Sequence, residues 1–250
     1  EMKDVSKHLS HFWTAPDGKR VLFEARGDIY SVPAEHGVIR NLTRSSGSAE
    51  RFPAWSPGGK TVAFWSDQSG EYELTVYNTQ NGSELETLTE YGPGFRYHLF
   101  WSPDNKKLVF IDQSMSVRMY SMESGKTTKI DQALWKYQGG LEAFQVNWSP
   151  DSRWFAYSRG LDNEHNAVFI YDTKKNQKIK VTSGFYSDSS PVFDPDGKYL
   201  YYLSDRTFEP IYGDVDNSFL YANTTNIVAA PLRTDVESPL KARNDETDIQ

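Results

Sequence analysis

The chain contains no cysteine. That excludes a disulfide framework, a thiolate nucleophile and any Cys-ligated zinc, though by itself it names no compartment. Long apolar runs are also missing. The longest, such as Tyr199 to Leu203, are strand-sized and far below the roughly 18 uninterrupted apolar residues of a membrane helix. Positive charge is in short supply: 27 Lys and Arg stand against 34 Asp and Glu, a net charge of -7, which argues against a nucleic-acid surface. No Gly-x-Ser-x-Gly pentapeptide occurs, so an autonomous α/β-hydrolase is excluded. Helix signals are scarce, and Ala133 to Leu141 is the only helical candidate.

What is present suffices for a core. The 250 residues are 38% hydrophobic, 24% charged and 14% aromatic, a composition that folds, and the length fits one all-β domain. The opening Glu1-Met2-Lys3-Asp4 leads into no apolar segment of a signal peptide, and Glu1 suggests an internal piece of a longer chain.

An internal repeat dominates the sequence. Ser56-Pro57-Gly58-Gly59-Lys60 returns as Ser102-Pro103-Asp104-Asn105-Lys106 and Ser149-Pro150-Asp151-Ser152-Arg153, flanked by the variants Ala15-Pro16-Asp17-Gly18-Lys19 and Asp194-Pro195-Asp196-Gly197-Lys198. The prolines are spaced by 41, 46, 47 and 45 residues. Proline presets φ for the second position of a type I turn, and Asp, Asn and Gly tolerate the positions that follow, so each motif reads as a hairpin corner. An aromatic precedes every corner: Trp13, Trp55, Trp101, Trp148 and Phe193. Their recurrence at one position points to wedges between sheets rather than to a ligand platform. An apolar strand follows every corner, then a third strand and a more polar fourth.

The second strands lack clean polar alternation, which implies that both sheet faces are covered. Four strands every 41 to 47 residues is the period of β-propeller blades. The expected fold is therefore an all-β β-propeller with five readable four-stranded blades, in units near 10–43, 51–89, 97–131, 144–182 and 189–232. Residues 1–8 would add a strand of a preceding blade or a closing strand for the last one, and 233–250 would form a short last strand and a linker.

The corner followed by Leu/Val-x-Phe resembles the repeat of TolB-like proteins and tricorn-type proteases; no Trp-Asp dipeptide ends a strand as in WD repeats. The run Phe23-Glu24-Ala25-Arg26-Gly27-Asp28-Ile29-Tyr30, with Arg40-Asn41-Leu42-Thr43 after it, resembles a blade of the second propeller of the tricorn protease family. Thr224 to Leu232 with Ser238-Pro239-Leu240 resembles that propeller's end, so the likeness spans residues 1–240. It implies a seven-bladed ring of which these units are the later part, within a homo-oligomeric, cytoplasmic serine peptidase; the periplasm is the alternative location. The family's serine nucleophile and histidine base lie in a catalytic half outside these residues. The resemblance thus implies a noncatalytic region that guides peptides or products and contacts other domains or subunits, with no catalytic, cofactor-binding or metal residue, no cofactor, no nucleic acid and no membrane. A TolB-like interaction propeller with no protease attached is the alternative. A third reading, a metal or acid/base site in the channel, has no ligands that spacing can locate.

The remaining candidates read more simply as structure. Gly59-Lys60-Thr61 imitates a phosphate-binding loop but lacks its earlier glycine, where Ala54 stands, and is expected to be a hairpin turn. His8, His11 and His98 would need further converging ligands to hold a metal, and His98 on an innermost strand would face the channel; His36 and His165 are expected in turns. Asp214, Asp216 and Asn217 resemble a calcium loop in composition without its spacing. Asp205 and Arg206 are expected to pair or cap a turn, like Ser66-Asp67-Gln68. Asn41, Asn81, Asn147 and Asn223 head Asn-x-Ser/Thr triplets that turn-rich sequences produce by chance, so glycosylation is not inferred.

Overall fold

A computed structural model describes residues 6–80, 82, 85–134, 140–213, 219–220 and 223–240. The chain packs as two compact units, 1–146 and 147–250, divided at the start of the fourth repeat. After a single 3-10 turn, Ser6–His8, all regular structure in the described residues is β.

The first unit holds three antiparallel four-stranded sheets, each built from consecutive strands. They are β1 (Leu9–Thr14), β2 (Arg20–Ala25), β3 (Asp28–Pro33) and β4 (Arg40–Asn41); β5 (Glu50–Trp55), β6 (Thr61–Ser66), β7 (Glu73–Asn78) and β8 (Leu85–Thr87); and β9 (Phe100–Trp101), β10 (Lys107–Ile111), β11 (Ser116–Ser121) and β12 (Thr127–Gln132). The second unit opens with β13 (Val146–Trp148), β14 (Trp154–Gly160), β15 (Asn166–Asp172) and β16 (Gln177–Lys180). Its other sheet departs from the expected quartet. Three strands, β17 (Asp188–Phe193), β18 (Tyr199–Asp205) and β21 (Thr225–Pro231), pair in that order, and a separate hairpin of β19 (Ile211–Tyr212) and β20 (Phe219–Leu220) occupies the insertion between β18 and β21.

The five corners share one geometry. The residue after the corner's Asp or Gly donates its N–H to the carbonyl before the proline: Gly18 to Ala15, Gly59 to Ser56, Asn105 to Ser102, Ser152 to Ser149 and Gly197 to Asp194, all at 2.9 Å. Each donor is left-handed, with φ between 59° and 70°. Glycine and asparagine enter that region at little cost, which is why the motif selects them. In three corners the Asp side chain accepts the N–H two residues on, as Asp104 does from Lys106 at 3.0 Å.

Core packing in the first unit follows from two-faced strands. In β6, Val62 and Phe64 join Leu22, Ile29 and Trp55, while Ala63 and Trp65 on the opposite face join Leu99, Trp101, Leu108 and Phe110. Every one of these is under a tenth exposed, and each large side chain so buried contributes about 1.5–3 kcal/mol. Two of these tryptophans are also hydrogen-bonded: Trp101 Nε1 donates to the Ala54 carbonyl at 3.1 Å, and Trp65 Nε1 to that of Tyr97 at 2.7 Å. In the second unit, Ala156 and Val168 meet Phe193, Leu200 and Tyr202.

The expectation of two covered faces fails for β2 and β18. Their burial alternates, because one side of each sheet packs on a neighbour while the other keeps residues such as Phe12, Val192, Leu203 and Ile227 exposed. Residues 233–240 hold no strand; the rest of the expected last strand and linker, and Trp135 to Gly139 within the helical candidate, lie outside the described residues.

Candidate functional site

The leading strands β1 and β5 both carry a register irregularity, between Leu9 and Phe12 and between Arg51 and Ala54. Such bulges re-aim side chains and recur beside functional sites. At the second, Phe52 sits at φ 53°, a region that bulky residues rarely enter. Three contacts hold it there. Its N–H donates to Glu24 Oε2 at 3.1 Å, and its buried ring lies 4.3 Å from the His11 ring and 4.7 Å from the His98 ring.

Glu24 is the electrostatic centre of this cluster. It projects from β2 with a side chain 4% exposed, and its Oε2 also accepts from His11 Nδ1 at 2.7 Å, while Arg51 Nη1 stands 3.6 Å from Oε1. A carboxylate so buried remains affordable only when paired and hydrogen-bonded, as here. Arg51 Nε in turn donates to the Tyr72 hydroxyl at 2.8 Å, a bond that raises the guanidinium above its usual pKa. His98 is different. It hydrogen-bonds no described residue, and burial, reinforced by repulsion from His11 with ring centroids 5.3 Å apart, lowers its pKa below the ordinary value. The cluster therefore holds a neutral imidazole, a paired carboxylate and aromatic surface drawn from β1, β2, β5 and the segment before β9; His98, expected on an innermost strand, lies two residues ahead of that strand. Chemically it can orient polar groups and accept a proton; no described hydroxyl is hydrogen-bonded to either imidazole.

A second polar site lies at Arg96, just before β9. Arg96 is 7% exposed and donates to the carbonyls of Tyr72 (2.5 Å), Gly94 (3.0 Å) and Gly92 (3.1 Å), with its guanidinium 4.9 Å from the Tyr91 ring centre. Burial lowers its pKa, yet an arginine stays cationic. Asp112 pairs with Arg118 at 2.6 Å and accepts from Ser114 and Ser116, which holds its carboxyl below the usual range despite burial. These groups border a pocket of about 280 Å³.

The residues anticipated from sequence fall mostly elsewhere. His11 and His98 come together; His8 is exposed in the 3-10 turn. His36 is exposed beside Glu35, and His165 meets the Gly184 carbonyl at 3.2 Å. Gly59-Lys60-Thr61 forms the hairpin corner at the head of β6. Asp205 and Arg206 do not pair with each other: Asp205 accepts from Thr225 at 2.6 Å, and Arg206 donates to Ser204 at 2.8 Å. Asn41 caps its own turn through Thr43 and Arg44, and Asn147 accepts the Phe193 N–H at 2.8 Å. Asp214, Asp216, Asn217 and Asn81 lie outside the described residues. Among the described residues, no three His, Asp or Glu side chains are placed to hold a metal, and no helix is long and apolar enough to cross a membrane. Sequence reading passed over Glu24 and Arg96. The signal for Glu24 was a lone acid inside the apolar strand after the first corner.

Comparison with solved structures identifies the architecture. The crystal structure of the tricorn protease aligns with 96% of this chain and 24% of its own, with a TM-score of 0.79 at 22% identity. A TolB-like protein from Agrobacterium tumefaciens aligns with 81% of this chain and 73% of its own, with a TM-score of 0.57 at 19% identity. The sheets are blades of a β-propeller. A family model, the tricorn protease second beta propeller domain, matches residues 9–250, and the chain belongs to that family. The tricorn protease of Thermoplasma volcanium is 31% identical over 259 residues, covering 98% of this chain and 23% of the relative. A tricorn protease homolog of Saccharolobus solfataricus is 26% identical over 196 residues, covering 78% and 17%. The chain thus spans about a fifth of the length of the curated relatives it matches.

Proposed function

We propose that this propeller is the noncatalytic part of a tricorn-like serine protease, guiding peptide substrates or products and contacting other domains or subunits of the parent, in the cytoplasm. The observation that carries this reading is membership of the second-propeller family over residues 9–250, in relatives more than four times as long. The paired Glu24, the neutral His98 and the rings around Phe52 support it by offering polar and aromatic contacts in one cluster. The purified chain incubated with fluorogenic peptides is expected to bind them without turnover. Hydrolysis abolished by a substitution within these 250 residues would overturn the noncatalytic assignment.

The TolB-like structural match favours a second reading, a protein-interaction propeller without a protease. The coding sequence that adjoins this one separates the two: a downstream serine peptidase supports the first, and its absence the second.

A further inference from the structure

We infer that the outer edge of β21 takes up an extended strand from a partner polypeptide, one that carries an apolar residue followed by Thr. The inference goes beyond the proposed function and holds under either reading of it, because it requires only a polypeptide partner. Its foundation is a comparison of the sheets with one another. In the first, second and fourth sheets, one repeated arrangement covers the third strand. The N–H of Leu42 donates to the Ile29 carbonyl at 2.8 Å, that of Leu88 to Leu74 at 2.7 Å and that of Val181 to Val168 at 2.8 Å. In return the N–H groups of Ile29, Leu74 and Val168 donate to the next hydroxyl along: Thr43 Oγ1 at 3.2 Å, Thr89 Oγ1 at 2.9 Å and Thr182 Oγ1 at 3.1 Å. Leu42, Leu88 and Val181 also pack against a buried core cluster, so an apolar–Thr pair is what a third strand binds at this register. In the third sheet a register irregularity falls at the corresponding Val117, which faces Asp131.

Ile227 occupies the same place in β21. Its partner in β18 is Leu203, eight residues past the corner proline, as Glu24, Trp65 and Ser158 are for Ile29, Leu74 and Val168. The direction of its backbone groups follows from the ladder. The Leu232 N–H donates to the Lys198 carbonyl at 2.8 Å, and bonding alternates along an antiparallel pair. Ala230, Val228 and Asn226 therefore face β18, while Ile227 and Ala229 turn their N–H and C=O groups outward. Pro231, the next outward residue, has no N–H to offer and closes the row. Among the described residues no strand pairs with this edge: the sheet stops at β21, and β19 and β20 form a sheet of their own. Ile227 is 77% exposed and Leu203 beside it 36%, an apolar seat for the side chain of the incoming residue. An unpaired edge is a template for strand addition, in which main-chain bonds supply affinity and alternate side chains supply selectivity.

The test uses the whole chain and a fluorescein-labelled peptide amide, Leu-Glu-Thr-Leu-Thr-Glu, that copies residues 85–90. Binding is followed by fluorescence anisotropy. The peptide is expected to bind saturably. Its derivative N-methylated at the second leucine lacks the N–H meant for the Ile227 carbonyl and should bind about tenfold more weakly. Valine in place of the second threonine keeps the shape but removes the hydroxyl acceptor, which should weaken binding about threefold to tenfold. On the protein side, Ile227→Pro deletes one outward donor without removing a bond to β18 and should weaken the unmodified peptide about tenfold. The N-methyl comparison is made on the unmodified chain and decides the matter even where this variant does not fold. No binding, equal binding of the plain and N-methylated peptides, or binding unchanged in folded Ile227→Pro would overturn the inference. Concentration-dependent dimerisation in sedimentation that Ile227→Pro abolishes would assign the edge to a second copy of the chain and overturn the choice of partner.

Discussion

Acid titration of the Asp172–Arg153 pair gives the sharpest quantitative check on this structure. Asp172 ends β15 with a fully buried side chain. Its two oxygens accept from Arg153 Nε at 3.2 Å and Nη2 at 2.6 Å, a forked pairing, and Oδ1 also takes the N–H groups of Lys174 (2.9 Å) and Lys175 (3.2 Å). The Arg153 bonds are the main cause of a pKa lowered to about 2. Against about 3.9 in the unfolded chain, the ceiling on its contribution is about 2.5 kcal/mol. The Arg153 side chain is 33% exposed, so solvent screening brings the working figure to about 1–2 kcal/mol. The unfolded state binds the proton more readily, so this stability is fully present above about pH 4 and is lost as pH falls toward 2. Asp172→Asn keeps an acceptor for the backbone but discards the charge. Urea unfolding followed by tryptophan fluorescence should place the variant about 1–2 kcal/mol below the parent at pH 7, with roughly half that gap gone at pH 3. A gap that is the same at both pH values, or no gap at pH 7, would refute the reasoning.

Three further outcomes are expected. Trp101→Phe removes the Nε1 donor to the buried Ala54 carbonyl and part of the wedge, which should cost about 2–4 kcal/mol in urea unfolding; a loss below about 1 would mean the wedge is not what joins those sheets. Ser190 is exposed with φ 52°, so Ser190→Gly should stabilise by about 0.5–1 kcal/mol, whereas Gly59→Ala at φ 70° should destabilise by about 1 kcal/mol although open space surrounds it; reversal of either sign in thermal melts would contradict the left-handed conformations at these two positions. His98 has a lowered pKa, so the unfolded chain takes up its proton first and stability falls as pH drops through and below about 6.5. His98→Gln should flatten that part of the stability–pH curve, and an unchanged slope would show that His98 is not its source.

The order of the sheets and their hairpin corners was readable in the one-dimensional pattern because both are local. A proline presets its own φ, the following Asp caps the N–H two residues on, and Gly59 or Asn105 supplies the left-handed residue that completes the turn, all within one pentapeptide. Two-sided burial was legible in β6 for a similar reason, since Val62 through Trp65 contains no polar residue. The three-stranded sheet of the second unit was misjudged as a quartet because the insertion before β21 is as long as a strand and two turns, and length alone does not say which strands pair.

The amino-acid sequence by itself settled the all-β class, the repeat, the wedges and the family resemblance, since each is written in spacings that recur along the chain. Only the tertiary structure decided that Glu24, His11, Phe52 and His98 meet, and that Arg96 is buried against three carbonyls and the Tyr91 ring. Those residues are up to 87 positions apart in sequence, as His11 and His98 are. Their contact depends on which strand ends packing brings side by side and on a bulge that turns Phe52 toward them, and neither leaves a periodic trace for a reader of the sequence to find.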